Sequence, residues 1–365
     1  MVVFRPANPE EVEQILELVN YVFRISSGLE PTMGRQFPTF ICAENARNLY
    51  VAVDEGRIVA HIGIKKNTAM IYGHKVSMAN MGSVCTHPDY RGKGIGTTLL
   101  HEVFRSLGEE GVGFVSISGT RGLYRRNSCV EVGEALTYVL EKDKFLYKDF
   151  EGFRYHVSEN ADEAGVLFDI YKREPVRYQR TKREFPVLLK AVPMVHPPVP
   201  ALTVAIAFSE ENAGLAYIIG YERNPGVFAV VEYAGQRMAV VWLMDRMLHD
   251  MGMERVTVEV PAYDSDLISV LNSAGLNGTS SYYPGTTLRV VSKENLWRDI
   301  HPIIEEAWDG SLPPSSIDAL PDRVANDEAK LAQFLFSGFD RPTYGQPWDR
   351  VFPLPLPWPN GLNYV

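Results

Sequence analysis

Cysteine is scarce. Cys42, Cys85 and Cys129 are the only three in 365 residues, too few and too scattered for a disulfide framework or a thiolate zinc site, so no metal is expected. Positive charge is also short: 36 Lys and Arg face 45 Asp and Glu, a net charge of -9, which speaks against nucleic acid or an anionic membrane as partner. No apolar run approaches the roughly 18 residues of a membrane span. The start, MVVFRPANPEEVEQ, lacks the basic-then-apolar pattern of a signal peptide. A cytoplasmic protein with no membrane partner is therefore expected. The composition that is present, 45% hydrophobic and 22% charged, excludes disordered, collagenous and coiled-coil chains. At about 100–200 residues per domain the length calls for two domains and a small third piece. Composition leaves open whether copies associate into a homo-oligomer.

Periodicity sets out a repeated order. Asn8-Pro9-Glu10-Glu11 reads as a helix start, with a cap, a proline in the first turn and acids at the positive end of the dipole. Val12, Ile15, Leu16, Val19 and Phe23 follow at helical spacing. A hairpin turning at Asp54-Glu55-Gly56 comes next, then a segment from Thr68 to Tyr72 that turns at Gly73 into a strand over 75–86. After a Gly-rich turn come a helix over 97–108, a strand over 113–118, a short helix near Leu123 and a strand over 135–140. The second half repeats this: helices over 160–174 and 182–191, strands over 202–208, 215–221 and 227–232, a helix over 238–251, a strand over 255–260, a helix over 265–274 and a strand near 287–291. Thr98–Phe104 matches Trp242–Leu248 at an offset of 144 residues. The expected fold class is α/β (α+β), two tandem mixed-sheet domains plus a small C-terminal α/β segment. The boundaries are 1–147, 154–291 and 292–365, with a linker over 147–154. The basic run from Tyr171 to Phe185 reads as a solvated helix face with local ion pairs.

The informative stretch is Met81–Leu100, in which a strand runs into Arg91-Gly92-Lys93-Gly94-Ile95-Gly96 and a helix follows at once. Free N–H groups at a helix start bind anions, glycines allow close backbone approach, and Arg91 and Lys93 add positive charge. A dinucleotide-binding fold needs a parallel strand–helix–strand unit near the chain start, whereas here antiparallel strands come first. Arg91-x-x-Gly94-x-Gly96, preceded by Val84-x-Thr-His-Pro-x-Tyr-Arg, resembles the acyl-CoA-binding signature of the GNAT superfamily of N-acyltransferases. The resemblance covers about residues 3–142 by motif and 154–290 by topology alone. It implies acetyl-CoA as co-substrate, its pyrophosphate on the amides of Arg91, Gly92, Lys93, Gly94, Ile95, Gly96 and Thr97. The backbone of Ser83, Val84 and Cys85 would pair with the pantetheine arm like an added strand. At the offset of 144, Arg91, Gly94 and Gly96 become Gly235, Met238 and Val240; the larger side chains of Met238 and Val240 would fill a phosphate site, and no basic residue replaces Arg91. The second half is therefore expected to be a degenerate, non-catalytic copy. Such a tandem arrangement resembles the Eis-type acetyltransferases and mycothiol synthase.

The resemblance also implies a tyrosine four residues before a glycine as proton donor to the departing thiolate. Tyr124 fits, although Ser128-Cys129 stands where Gly-Phe is usual. In the second copy Leu271 is at that place. The strand over 75–86 carries no carboxylate to act as base. His87, His61, Glu30 and Ser118 are weak candidates. The apolar tail ending at Val365 offers another, since in Eis-type relatives the terminal carboxylate reaches the active site. A nucleophilic Cys85 is disfavoured for want of a Cys/His/Asn set. The expected activity is transfer of acetyl to a primary amine of a small molecule or peptide by direct attack in a ternary complex. The rivals are transfer of a longer acyl or aminoacyl group, and a CoA-binding sensor without turnover. The loop over 26–40 and the second half of the chain are expected to form most of the acceptor site.

Overall fold

The computed structural model describes residues 1–145, 154–158, 163–191, 202–309 and 312–365. The linker expected over 147–154 and the first turn of the helix expected from Asn160 lie almost wholly outside them. The strands are β1 (Val3–Pro6), β2 (Leu49–Asp54), β3 (Arg57–Ile71), β4 (His74–Thr86), β5 (Phe114–Ser118), β6 (Val130–Glu131), β7 (Ala135–Glu141), β8 (Arg154–Ser158), β9 (Val176–Tyr178), β10 (Thr203–Phe208), β11 (Gly214–Asn224), β12 (Val227–Gly235), β13 (Arg255–Pro261), β14 (Thr279–Ser281) and β15 (Thr286–Val290). The helices are α1 (Val12–Phe23), α2 (Met33–Gln36), α3 (Ile95–Glu109), α4 (Gly122–Arg125), α5 (Ala164–Tyr171), α6 (Glu184–Leu189), α7 (Arg237–His249), α8 (Ser265–Ser273), α9 (Lys293–Ala307), α10 (Asp322–Ala325), α11 (Glu328–Phe336) and α12 (Trp348–Val351). Beyond β15 the described elements of the C-terminal segment are helices.

Two compact units result. The first comprises Met1–Val132, Gly285–Leu354 and Tyr364–Val365, and the second Gly133–Pro284 and Pro355–Asn363. In the first, the strands run β1-β2-β3-β4-β5-β15-β6. In the second they run β14-β7-β13-β12-β11-β10-β8. Each order contains one parallel pair, β4 with β5 and β12 with β13, while its other pairs are antiparallel. A parallel pair needs a crossover, and α3 and α7 supply it. One feature departs from a simple tandem. The strand over 135–140, which periodicity attaches to the first half, is β7 in the second sheet, and β15 lies between β5 and β6 in the first.

The local causes in the first unit are plain. Asn8 and Glu11 form the reciprocal capping box ahead of α1. Glu55 and Gly56 take φ of 48° and 80°, and Tyr72 and Gly73 take 49° and 92°. Positive φ at both central residues suits a two-residue hairpin to the right-handed twist of its strands. Between those turns β3 runs unbroken for 15 residues, so the separate segment expected from Thr68 is the end of one strand. One face of the sheet packs Ile62, Ile64, Met81, Val115 and Ile117 against Leu99, Leu100 and Val103 of α3. The other packs Leu49, Val51, Ile58 and Cys85 against Ile15, Leu18 and Val19 of α1, and Val365 joins this second cluster. At about 1.5–3 kcal/mol per fully buried aliphatic side chain, these two faces hold the unit together. Asp299 of α9 accepts from the Ser77 amide of β4 at 2.8 Å, so α9 is tied to the central strand.

The second unit buries α7 almost all round, from Ala239 through Leu248, as expected of a central helix. Its other core lies between α5, α6 and the strands β10–β12.

Candidate active site

The site begins where β4 and β5 part. Their parallel register runs from Met78↔Phe114 to Met81↔Ile117, but β4 continues to Thr86. The β3 register slips there as well, from Gly63↔Gly82 to His61↔Cys85, so Ser83 and Val84 together face Ile62. This is a β-bulge, and Ser83 takes φ of 52° in it. From Gly82 onward the β5-facing edge of β4 has no strand partner among the described residues, and the Ser83 hydroxyl is buried without one. An unpaired edge with free backbone groups is a template for an extended ligand. Ser83 and Val84 are half-buried and Cys85 is buried.

The anion site follows directly. Gly92 and Gly94 take φ of 76° and 77°, and a side chain carbon added to either would meet nothing within 4 Å. Among the described residues the amides of Gly92, Lys93, Gly94, Ile95, Gly96 and Thr97 find no acceptor. The Arg91 amide differs, donating to the Pro88 carbonyl at 3.1 Å. Six free donors at the start of a 15-residue helix make a cradle for a polyanion. Gly96 packs against the Thr86 hydroxyl, whose Oγ1 lies 3.3 Å from where a Cβ would be. Arg91 holds its place through Nε to the Thr86 carbonyl at 3.2 Å, and the Lys93 ammonium lies 4.8 Å over the Tyr90 ring. Both remain exposed, free to neutralise phosphate charge.

Tyr124 stands on α4 with 3% of its surface exposed. Its ring crosses Gly119, where any Cβ would approach Tyr124 Cε2 to 2.8 Å, so a glycine there is a steric requirement. The hydroxyl makes no hydrogen bond among the described residues, and burial pushes its pKa up to about 12. It is thus an uncommitted donor that stays protonated at neutral pH. Ser128, the apparent departure from Gly, takes φ of 57°. The backbone keeps the left-handed turn that a glycine would adopt, and serine bears its strain.

Val365 ends beside these groups. Its carbonyl oxygen accepts from the Ser118 hydroxyl, whose oxygen also lies 3.2 Å from the Met81 carbonyl. Gly82 has no side chain because the Val365 carboxyl carbon occupies the space a Cβ would need. Val365 and Ser118 therefore sit in the gap where β4 and β5 diverge. Other sequence candidates fall outside it. His87 contacts Arg57 at 3.0 Å and stacks on Tyr21, next to the glycine turn. Glu30 is exposed and faces Arg35. His61 is fully buried, its Nδ1 3.2 Å from the Tyr50 carbonyl, and burial drops its pKa to about 4. The Cys85 thiol is pushed up to about 12 by burial, which keeps it protonated and inert.

The second unit keeps the divergence and loses the cradle. The β12–β13 register ends at Val230↔Val258, and β12 has its own slip between Ile219 and Gly220 of the facing strand. The connection to the helix, residues 87–94 in the first unit, shrinks to Gln236 alone. Met238 is exposed and Val240 lies in the core, so the deleted turn, not bulky replacements, removes the phosphate site. The Gly235 amide at that junction donates to Glu174 Oε1 at 2.7 Å, and Arg237 clasps both Glu174 oxygens at 3.0 and 2.7 Å. An internal carboxylate thus stands at the start of α7. Just past the point of divergence, the Trp358 indole donates to the Val231 carbonyl at 3.1 Å and the Leu362 amide to Glu232 at 3.0 Å. Arg180, read from sequence as part of a solvated basic face, is buried and grips Glu232 through two bonds of 2.7 Å.

The model of the acetyltransferase (GNAT) domain family matches residues 3–129, the stretch that contains the bulge, the cradle and Tyr124. The chain carries a GNAT domain. Solved structures share the fold of the larger part of the chain. A probable N-acyltransferase from Enterococcus faecalis V583 superposes with a TM-score of 0.65 at 17% identity, over 82% of this chain and 74% of that one. A GCN5-related N-acetyltransferase from Kribbella flavida gives 0.58 at 14% identity, over 80% and 71%. Eis1 from Mycobacterium abscessus gives 0.57 at 14%, over 80% and 74%. No curated protein matches the sequence.

Proposed function

We propose that the chain is an acetyl-CoA-dependent N-acetyltransferase acting on a primary amine of a small molecule or peptide. The observation that carries this reading is the convergence of three features where β4 and β5 part: the unpaired strand edge at Ser83–Cys85, the free Tyr124 hydroxyl and the Val365 carboxyl. The six open amides from Gly92 to Thr97 fit a pyrophosphate in number and steric clearance. The thioester of acetyl-CoA supplies the activated acetyl group when bound.

The chain's own residues then have separable tasks. Backbone groups of Ser83–Cys85 hold an extended arm in register, as a strand partner would. The amine attacks directly in a ternary complex, because the buried, protonated Cys85 is no nucleophile. In the 365-residue chain the Val365 carboxylate, oriented by Ser118, accepts the proton the amine sheds. Tyr124 gives its proton to the departing thiolate and so avoids releasing a strong nucleophile. Val365 also fills the gap that a long acyl chain would enter, which favours acetyl over longer groups. The Tyr124 hydroxyl, with no protein acceptor among the described residues, is available to a ligand, which favours turnover over a sensor role.

The test is a thermal-shift titration with acetyl-CoA, longer acyl-CoAs and free CoA, followed by an amine screen monitored by thiol release. Ligand at about 100 times Kd stabilises the fold by about 2.7 kcal/mol. A shift with acetyl-CoA and amine-dependent thiol release support the reading, and no shift with any CoA would sink it.

A further inference from the structure

The acceptor side of the first unit holds a cation without a counter-ion. Arg24 follows α1 and is 6% exposed. It donates from Nε to Thr32 Oγ1 at 3.2 Å, from Nη1 to the Phe23 carbonyl at 2.8 Å, and from Nη2 to Gln36 Oε1. All three acceptors are neutral. Among the described residues no carboxylate pairs with this guanidinium. The other buried guanidinium among the described residues is different, since Arg180 holds Glu232 at 2.7 Å, and even the half-buried Arg237 holds Glu174 at 2.7 Å and Asp264 at 3.0 Å. Burying a charge without its opposite is among the costliest arrangements in a fold.

The neighbour repeats the deficit. Gln36 is 5% exposed, and it turns its Oε1 to Arg24, which leaves its Nε2 buried with no acceptor. A guanidinium without a counter-ion beside an amide nitrogen without an acceptor describes a socket for an oxygen anion. The socket adjoins the proposed chemistry. Thr32 precedes α2 and Gln36 is its last residue, both within the loop expected to line the acceptor site. Phe37, the next residue, meets the Tyr364 ring at 6.2 Å, and Tyr364 precedes Val365. From the other side, Arg121 lies 5.9 Å over the Phe23 ring, two and three residues from Leu123 and Tyr124 in the chain. The acid of that loop, Glu30, points to Arg35 at the surface.

We infer that Arg24 and Gln36 receive a carboxylate borne by the acceptor itself, so that the acceptor class is amino acids or other amines carrying a carboxylate. The net negative charge of the chain would suit a cationic acceptor, but the local charge balance at this loop is the reverse. A fixed carboxylate also orients the amine, since two donors clamp a planar group bidentately. This inference rests on the transferase reading.

The experiment compares kcat/KM for matched pairs, each amino acid against its own carboxamide, by thiol release at saturating acetyl-CoA. The amides carry the more readily deprotonated amine, so bare reactivity favours them. Wild type is expected to prefer the carboxylate of a pair at least tenfold. Gln36→Glu supplies the missing anion internally. It should abolish that preference, leave acetyl-CoA affinity within about twofold, and raise the melting temperature. Arg24→Lys should keep part of the preference. Equal or inverted rates for the pairs, or a preference that survives Gln36→Glu, would overturn the inference. If no amine is acetylated, the transferase reading fails, and calorimetry on the CoA-loaded chain decides this one. N-acetylated amino acids that bind in preference to their N-acetylated amides, with the difference lost in Gln36→Glu, support it; binding of both alike, or of neither, overturns it.

Discussion

Tyr124 and His61 are both buried titratable groups, yet their environments assign them opposite work. Among the described residues Tyr124 has no partner for its hydroxyl, and burial pushes its pKa up to about 12. Tyr124→Phe should lower kcat by about 10²–10⁴-fold, the usual contribution of one proton donor, with Kd for acetyl-CoA nearly intact. Because the donor form persists, the wild-type rate should show no alkaline loss from this group through about pH 10. Steady-state rates across pH, beside calorimetric CoA binding, check both statements. His61 acts on stability instead. Its pKa falls from 6.5 in the unfolded chain to about 4 in the fold, so between these values the unfolded state binds the extra proton. Stability attributable to His61 is complete above pH 6.5, declines as pH falls toward 4, and levels off below it. The loss totals about 3 kcal/mol at about 1.4 kcal/mol per unit. Denaturant unfolding of wild type and His61→Phe across that range should show a steeper decline in wild type, and parallel curves would refute the assignment.

The elements that matter most are the β4 bulge and the turn into α3. Gly94→Glu sets a carboxylate against the free amides and a side chain at φ of 77°, so acetyl-CoA binding should vanish. Gly94→Ala is the control, with strain of about 1–2 kcal/mol but no added charge, and it should retain measurable affinity. Unchanged calorimetric affinity in Gly94→Glu would remove the cradle. This turn was legible in the sequence because glycines, basic residues and a helix start are all local signals. The short helix that carries Tyr124 was legible too, although Ser128 in the glycine position obscured its alignment. A left-handed φ is a backbone property that the residue type only correlates with. The bulge at Ser83 and Val84 was not legible, since a register slip is written in the facing strand as much as in β4. The Arg24–Gln36 socket escaped for a similar reason. A missing counter-ion becomes visible only once every neighbour is known.

For the whole molecule, the repeated order of elements could be read from periodicity, but not which sheet each strand joins. Pairing partners far apart in sequence leave no periodic trace, and so β7 and β15 were attached to the wrong halves. The same long-range contacts decide how many cofactor sites the chain has. In the second unit the turn is reduced to Gln236, Glu174 stands at the helix start, and Trp358 and Leu362 bond beside the divergence. Calorimetric titration should therefore give one CoA bound per chain, and Gly94→Glu should bring it to none. A stoichiometry of two would mean that the second divergence opens to ligand.

The position of β15 also has a temporal consequence. During synthesis β5 emerges more than 150 residues ahead of the strand that covers its edge, Thr286–Val290. At about 5–20 residues per second, the half that bears the glycine turn waits on the order of ten seconds or more with an open edge. Such an edge invites pairing with another nascent chain. The order in which this protein is made and the order in which its first sheet closes are therefore different, and the first-made sheet is completed last.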